Sequence, residues 1–317
     1  MAIFAYHHHC DSRYSLPHPL VRFSQTSSTY RLSSPSRLQR AAPLTPSTAV
    51  PIPLDCPSSS TTTVAMSSSA IVLYSHTHKH NTHLDSHYDL SLPSGAFLHV
   101  AQEYLADSRG GTVLGFGAAV YPAAVALALL LNSPWFSTLE FQGGIVELGC
   151  GPGLLGLATG VSWKQTPPPS TQYSVVVTDG DDKSVALANN NIEAHRGSLQ
   201  SCTVAAKLLW GNDEQEASVV AAAGGRVGLV VMSDVAALVY KEFFPDLVKT
   251  IVNFCKRGAI GVMAYKRRDV RCEEVFFRLL KRSGVVIERG DEMLLEEDFR
   301  RSDGERIEVY LFRIIEN

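Results

Sequence analysis

The stretch "GGIVELGCGPGLLGLA" (143–158) constrains this chain more than any other. A short apolar run between glycines runs into a glycine-rich turn and then a second apolar run. That is one strand–turn–helix unit, with a strand apolar enough to be buried on both faces, as in a parallel sheet. Glycines at the turn let the backbone bend sharply and approach a ligand closely. Open α/β sheets bind their ligands at such a turn. Gly151, Gly153 and Gly156 satisfy G-x-G-x-x-G, the dinucleotide fingerprint. Gly149, Gly151 and Gly153 equally satisfy G-x-G-x-G, preceded by the acid Glu147. The glycines alone do not choose between the two.

Further strand-like and helix-like runs alternate along the chain. "GAFLHVAQ" (95–102) reads as a strand, and "GGTVLGFGAAVYP" (110–122) as a Gly-rich loop entering a helix over 122–132. Strands follow at "YSVVVTD" (173–179), "SCTVAAKLLWG" (201–211), "RVGLVVMSD" (226–234) and "GAIGVMAY" (258–265). Helices are expected over 181–195, 242–255 and 272–284, and a surface loop over 212–225. The prolines of "KQTPPPSTQ" (164–172) make a loop. The late strands "GVVIERG" and "RIEVYLFRI" lack a helix between them and suggest an antiparallel hairpin. The expected architecture is therefore α/β, a doubly wound and mainly parallel sheet with an antiparallel C-terminal hairpin.

Residues 1–65 are a different material, with five Arg, no Lys, two acids and nineteen Ser/Thr. This segment cannot bury enough apolar surface to offset its ordering entropy. We expect residues 1–69 to be a disordered extension and 70–317 the folded domain. An Arg-bearing, acid-poor, Ser-rich N-terminus has transit-peptide composition. It would address the chain to a chloroplast or mitochondrion; the alternatives are an extension with no address, in a cytoplasmic protein, and translation from Met66.

The formal charge of -3 shows no basic excess of the kind nucleic-acid binders carry. The short basic clusters "YKRR" (265–268) and "FRRSDGER" (299–306) read as solvated faces or loops. None of the six cysteines has C-x-x-C spacing, so no metal site is expected. Cys150 and Cys202 lie in apolar runs and read as buried thiols. "AAVYPAAVALALLL" (118–131) is too short to span a bilayer and reads as a buried helix, leaving no expected membrane partner and an expected monomer.

The acids bear on the ligand. A pyrophosphate site wants backbone N–H groups and little negative charge nearby. Glu147, just before the turn, suits a cationic or hydroxyl-rich ligand better. S-adenosyl-L-methionine has an ammonium, a sulfonium and a ribose, and no phosphate. Asp179, at the tip of the second core strand, can accept both ribose hydroxyls, as acids also do in nicotinamide sites. Trp210, ending "LLWG", could stack on adenine or be plain core. Asp234, ending "VVMSD" after Ser233, could face the reacting end of the ligand or cap a helix.

"VELGCGPGLLGLA", "VVVTDGDDKSVALANNNIEAH", "LLWG" and "VVMSD", in this order, resemble the seven-strand S-adenosylmethionine-dependent methyltransferases. They are similar in particular to the protein-lysine group known as methyltransferase family 16. "FLHVAQ" and "GFGAAVYPAAVALALLL" resemble that group's entry, a strand ending in Gln followed by a helix start. The resemblance covers about residues 95 to 317. It implies a seven-stranded Rossmann-like sheet and cofactor contacts from Tyr121, Glu147, Gly149, Gly151, Gly153, Asp179, Trp210 and Ser233. It implies Asp234 and Tyr240 at the catalytic mouth, and a protein substrate methylated on lysine.

Two positions depart from the family pattern. Tyr121 stands where the family has tryptophan. Tyr240 lies six residues after Asp234, where the family has Asp-x-x-Tyr. The second departure leaves other acceptors open: a small molecule, a nucleic acid, or an arginine or histidine side chain. A non-catalytic relative keeping the fold is a further reading.

Overall fold

A computed structural model describes residues 85–103, 116–164, 172–268, 270–290, 295 and 307–314. All of them fall in one compact unit, Ala65–Asn317. The N-terminal extension, with its transit-peptide reading, lies outside the described residues. So do residues 110–115, 165–171 and the basic cluster at 299–306.

Two strands open the described chain: β1 (His87–Ser91), which the sequence did not disclose, and β2 (Phe97–Ala101). They pair with each other as an antiparallel hairpin, separate from the main sheet. Helix α1 (Pro122–Leu131) follows, with proline at its first position, where a missing N–H costs nothing. All its residues but Leu129 are buried, as expected for the long apolar run.

Then come β3 (Gly144–Leu148), α2 (Leu154–Ser162), β4 (Val175–Asp179), α3 (Asp182–His195), β5 (Thr203–Lys207) and α4 (Asp213–Ala222). They are followed by β6 (Val227–Ser233), α5 (Phe244–Lys256), β7 (Ile260–Lys266), α6 (Val270–Arg282), β8 (Val286–Arg289) and β9 (Ile307–Arg313).

The main sheet has seven strands in the order β5-β4-β3-β6-β7-β9-β8. The first five are parallel. β9 runs antiparallel to both β7 and β8, between them. The chain winds outward from β3 through β4 and β5, then returns to β6 on the other side of β3. The strand order therefore reverses between β3 and β6, and the crevice at their carboxyl ends is where such sheets bind ligands.

Alternate residues of each strand enter two cores. Ile145, Val175, Val177, Leu229 and Val231 pack toward α1 and α2. Val146, Leu148, Val176, Val230 and Met232 pack toward α4, α5 and α6.

Four expectations are corrected. Residues 212–225 hold a helix, α4, rather than a surface loop. Its start is capped by the Asn212 side chain, which accepts the Gln215 N–H at 3.0 Å. Only Glu216 and Val219 of α4 are buried. With a carboxylate at one of two inward positions, the apolar periodicity disappears.

The third core strand ends at Lys207, so Trp210 lies in the turn beyond it rather than at its tip. Cys202, placed just before β5, is exposed rather than buried. Finally, "YKRR" is not simply a solvated face: Tyr265 is buried in the second core and Arg268 bonds into the crevice described next.

Candidate active site

The glycine-rich turn joins β3 to α2. Gly149, Gly151 and Gly153 all adopt left-handed conformations, with φ of 68°, 51° and 85°. An L side chain is strained at each, which accounts for glycine at every second position. Gly156 has a different reason. A Cβ there would lie 1.8 Å from Val177 Cγ1, so glycine lets α2 sit directly on β4.

Glu147 occupies the same face of β3 as Ile145 and is only 2% exposed. Its Oε2 accepts the Gly156 N–H at 2.9 Å. Burial pushes its carboxyl up from 4.5 to about 8; the Gly156 N–H pulls it down and the nearby Asp179 charge adds to the rise.

Asp179 ends β4. Its Oδ2 accepts the Gly151 N–H at 3.1 Å and its Oδ1 the Asp181 N–H at 3.0 Å. Burial raises its carboxyl too, against the lowering effect of those N–H bonds. A carboxylate has roughly four acceptor positions. The Gly180 N–H also acts on Asp179, and the acceptor capacity that remains is open to ligand hydroxyls. The crevice thus holds two mutually repelling, partly desolvated carboxyl groups.

The entry segment closes over this turn. The Gly117 carbonyl lies 2.8 Å from where a Cβ on Gly151 would be, and a Cβ on Gly117 would lie 3.9 Å from Asp179 Oδ2. Buried Gln102 fixes the segment: its Oε1 accepts the Val120 N–H at 2.6 Å, directly before Tyr121. Asn191 of α3 fastens β2. Its side chain accepts from Ala101 N at 2.9 Å, donates to Ala101 O at 3.0 Å, and donates to Pro152 O at 2.9 Å.

The aromatic side is built by Trp210 and Tyr240. Their rings meet edge to face, with centroids 5.7 Å apart. Trp210 Cζ2 lies 3.5 Å from where a Cβ on Gly149 would be. The Tyr240 hydroxyl is raised by burial, then by the charges of Asp179, Tyr121 and Asp234. The Asp234 charge thus reaches the Tyr240 hydroxyl although the two are six residues apart in sequence.

Ser233 closes β6 opposite Ala264 of β7. Asp234 follows, the one non-glycine with positive φ among the described residues, at 53°. Its N–H bonds Ala264 O at 3.0 Å, and its Oδ1 then accepts the Lys266 N–H at 2.8 Å. The side chain thus takes the ladder place of a backbone carbonyl while the chain turns away from β7. Arg268 binds the same carboxylate from two nitrogens. Asp234 caps no helix: the 3-10 turn that follows starts at Leu238, after Ala237.

The structure gathers the glycines, Glu147, Asp179, Trp210, Tyr121, Asp234 and Tyr240 at one end of the sheet. Arg268, in a cluster whose composition suggests a solvated face, joins the site through Asp234. Its signal was the invisible register of β7, which brings residues 266–268 beside Asp234. No group of three His, Cys, Asp or Glu side chains able to hold a metal occurs among the described residues.

A family model described as lysine methyltransferase matches residues 105–283. The chain is also similar to protein-lysine N-methyltransferase EFM6 of Saccharomyces cerevisiae, with 35% identity over 170 residues. That match covers 51% of this chain and 64% of the relative's length. Among solved structures, a TehB-like SAM-dependent methyltransferase of Corynebacterium glutamicum is similar at TM-score 0.39 and 14% identity, covering 60% of this chain and 88% of that one. An S-adenosylmethionine-dependent methyltransferase of Clostridium acetobutylicum is similar at TM-score 0.36 and 11% identity, covering 54% and 83%.

Proposed function

Since the chain belongs to the lysine methyltransferase family, we propose that it methylates a lysine side chain of a protein, using S-adenosyl-L-methionine. The observation that carries the choice of cofactor is the pair of raised carboxyls, Glu147 and Asp179. A pyrophosphate placed beside them would raise both further. A ligand bearing an ammonium, a sulfonium and ribose hydroxyls stabilises their ionised forms. When bound, the cofactor supplies a methyl group on a positively charged sulfur.

In this reading, Asp179 holds the ribose hydroxyls with its remaining acceptor capacity. Glu147 faces the cationic end, and Trp210 lines the adenine side. Gly149, Gly151 and Gly153 allow close backbone approach. The incoming amine must be neutral to act as nucleophile, yet a free lysine with pKa about 10.4 is almost fully protonated near neutrality. Tyr240 and Trp210 wall the mouth and exclude water from the amine, which lowers its pKa. Asp234, clamped by Arg268 and the Lys266 N–H, offers one remaining acceptor position to orient it. An amine oriented in this way would present its lone pair to the methyl group that the cofactor supplies, and its surplus proton would leave to solvent. Most of the acceleration comes from alignment of the two reactants.

The test is incubation of the purified protein with radioactive S-adenosylmethionine and a cell lysate, followed by amino-acid analysis of labelled protein. Methyllysine is the expected product. Label confined to small molecules, or to another residue type, would overturn the acceptor. That second outcome has one observation in its favour, the heavy engagement of Asp234 by the protein's own donors. The reading extends to a monomer acting on protein rather than nucleic acid, which sizing of the purified chain and labelling with added RNA would check. We read residues 1–65 as an organelle address; a 1–69 fusion to a fluorescent protein remaining in the cytoplasm would count against it.

A further inference from the structure

Helix α4 and helix α5 share a buried polar chain that ends at the Trp210 turn. Glu216 is 1% exposed and lies between the helices. Its Oε1 accepts the Thr250 hydroxyl at 2.7 Å and its Oε2 accepts Asn253 Nδ2 at 2.8 Å. Thr250, fully buried, uses its one O–H in donating to Glu216. Its oxygen is therefore left as an acceptor, and it takes the Gly211 N–H at 2.7 Å. The same peptide unit's neighbour is gripped from the other side: Lys249 Nζ donates to Gly211 O at 2.8 Å and to Asp213 at 2.9 Å. Gly211 has φ of 79°, and a Cβ there would lie 3.0 Å from Asp246 Oδ1, so a side chain at this turn would be strained and crowded. Trp210 is the residue directly before it, set against Gly149 and Tyr240.

A buried carboxylate between two helices is costly unless its acceptors are filled, and an apolar residue would pack there as well or better. Here the carboxylate fixes the direction of one hydroxyl, and that hydroxyl fixes one peptide. We propose that Thr250, oriented by Glu216, is a positioning residue that sets the Trp210 ring against the glycine turn and so tunes cofactor affinity. The inference rests on the cofactor reading above, but the placement of Trp210 can be tested without it.

The chain has three tryptophans. In a Trp135→Phe, Trp163→Phe background, Trp210 alone reports. Thr250→Val replaces the hydroxyl at constant shape, and Thr250→Ser keeps it. The expected result is longer-wavelength Trp210 emission in Thr250→Val and about fivefold weaker binding of S-adenosylhomocysteine by calorimetry, the factor a lost net hydrogen bond gives. KM for S-adenosylmethionine should rise with kcat little changed, and Thr250→Ser should restore all three. Unchanged emission in folded Thr250→Val overturns the placement. Shifted emission with unchanged affinity overturns the link to the cofactor. A parent protein that binds no S-adenosylhomocysteine sinks the cofactor reading instead, while the emission result still decides the placement. If Thr250→Val does not fold, Thr250→Ala, which removes the same hydroxyl, takes its place with the same readouts and the same overturning results.

Discussion

Arg268 meets Asp234 fork to fork, Nη1 on Oδ1 and Nη2 on Oδ2, each at 3.1 Å. The pair sits where β6 turns away from β7, so it holds the carboxylate and the 266–268 segment as one unit. Arg268→Ala should lower kcat/KM for methyl transfer about 10- to 100-fold, the range a slightly misplaced group produces. Tm should fall as well, because Asp234 is only 8% exposed and its carboxylate is left without its paired charge. Steady-state kinetics beside a melting curve checks both; a large loss of Tm with normal kinetics would reverse the interpretation.

Gly156 and Val177 form a tight helix–strand contact. Gly156→Ala should destabilise by about 1–3 kcal/mol, the usual cost of overpacking. Val177→Ala in the same chain should recover part of that loss, giving a coupling in a double-mutant cycle. Additive losses in denaturant titrations would mean the contact relaxes elsewhere.

The Glu147 carboxyl gives stability a pH slope. Its folded value, about 8, lies above the ordinary 4.5. Between those values the native state holds a proton that the unfolded chain releases, so stability falls as pH rises through that window. Asp179 is raised as well and acts in the same direction. Glu147→Gln has no such proton to lose, so its Tm relative to the parent should improve from pH 5 to pH 8. The steepest part should approach about 1.4 kcal/mol per pH unit. A constant Tm difference across the window would refute the shift.

The same proton should appear in binding. If a cationic cofactor favours ionised Glu147, its binding below pH 8 releases a proton. Calorimetry of S-adenosylmethionine at pH 7, in two buffers of different ionisation enthalpy, should give heats that differ in the sense of release. Equal heats would place Glu147 outside the coupling.

Asn191 makes three hydrogen bonds from a nearly inaccessible position. Asn191→Ala strands the Ala101 amide and carbonyl and the Pro152 carbonyl, at about 1–3 kcal/mol for an unsatisfied buried group. Amide exchange over residues 87–101 should quicken well before the main sheet is affected. Uniform loss of protection throughout the domain would show that the hairpin is not a separate unit.

The core of this fold was legible because its strands are apolar on both faces and are punctuated by glycine. "GGIVELG" and "RVGLVVMS" could hardly be anything else. The α4 helix was not legible, because Glu216 faces inward and mimics a solvated turn. Glu147, Asp179, Trp210 and Asp234 were each visible at strand or loop ends, where α/β sheets keep their sites. Their partners were not. Arg268 reaches Asp234 through the β6–β7 register, and Thr250 reaches Trp210 through a peptide 39 residues away in sequence. Neither distance leaves a periodic signal.

The fastening of β2 by Asn191 sets an order of events in synthesis. Ala101 and Asn191 are 90 residues apart. At about 5–20 residues per second, the hairpin leaves the ribosome roughly 5–18 s before its anchor does. A two-stranded hairpin alone is marginal in water. The first strands made are therefore among the last to settle, and the segment leading to Tyr121 takes its place only after α3 exists. A chain stalled before residue 191 has made the hairpin and the glycine stretch but not the side chain that fastens one to the other.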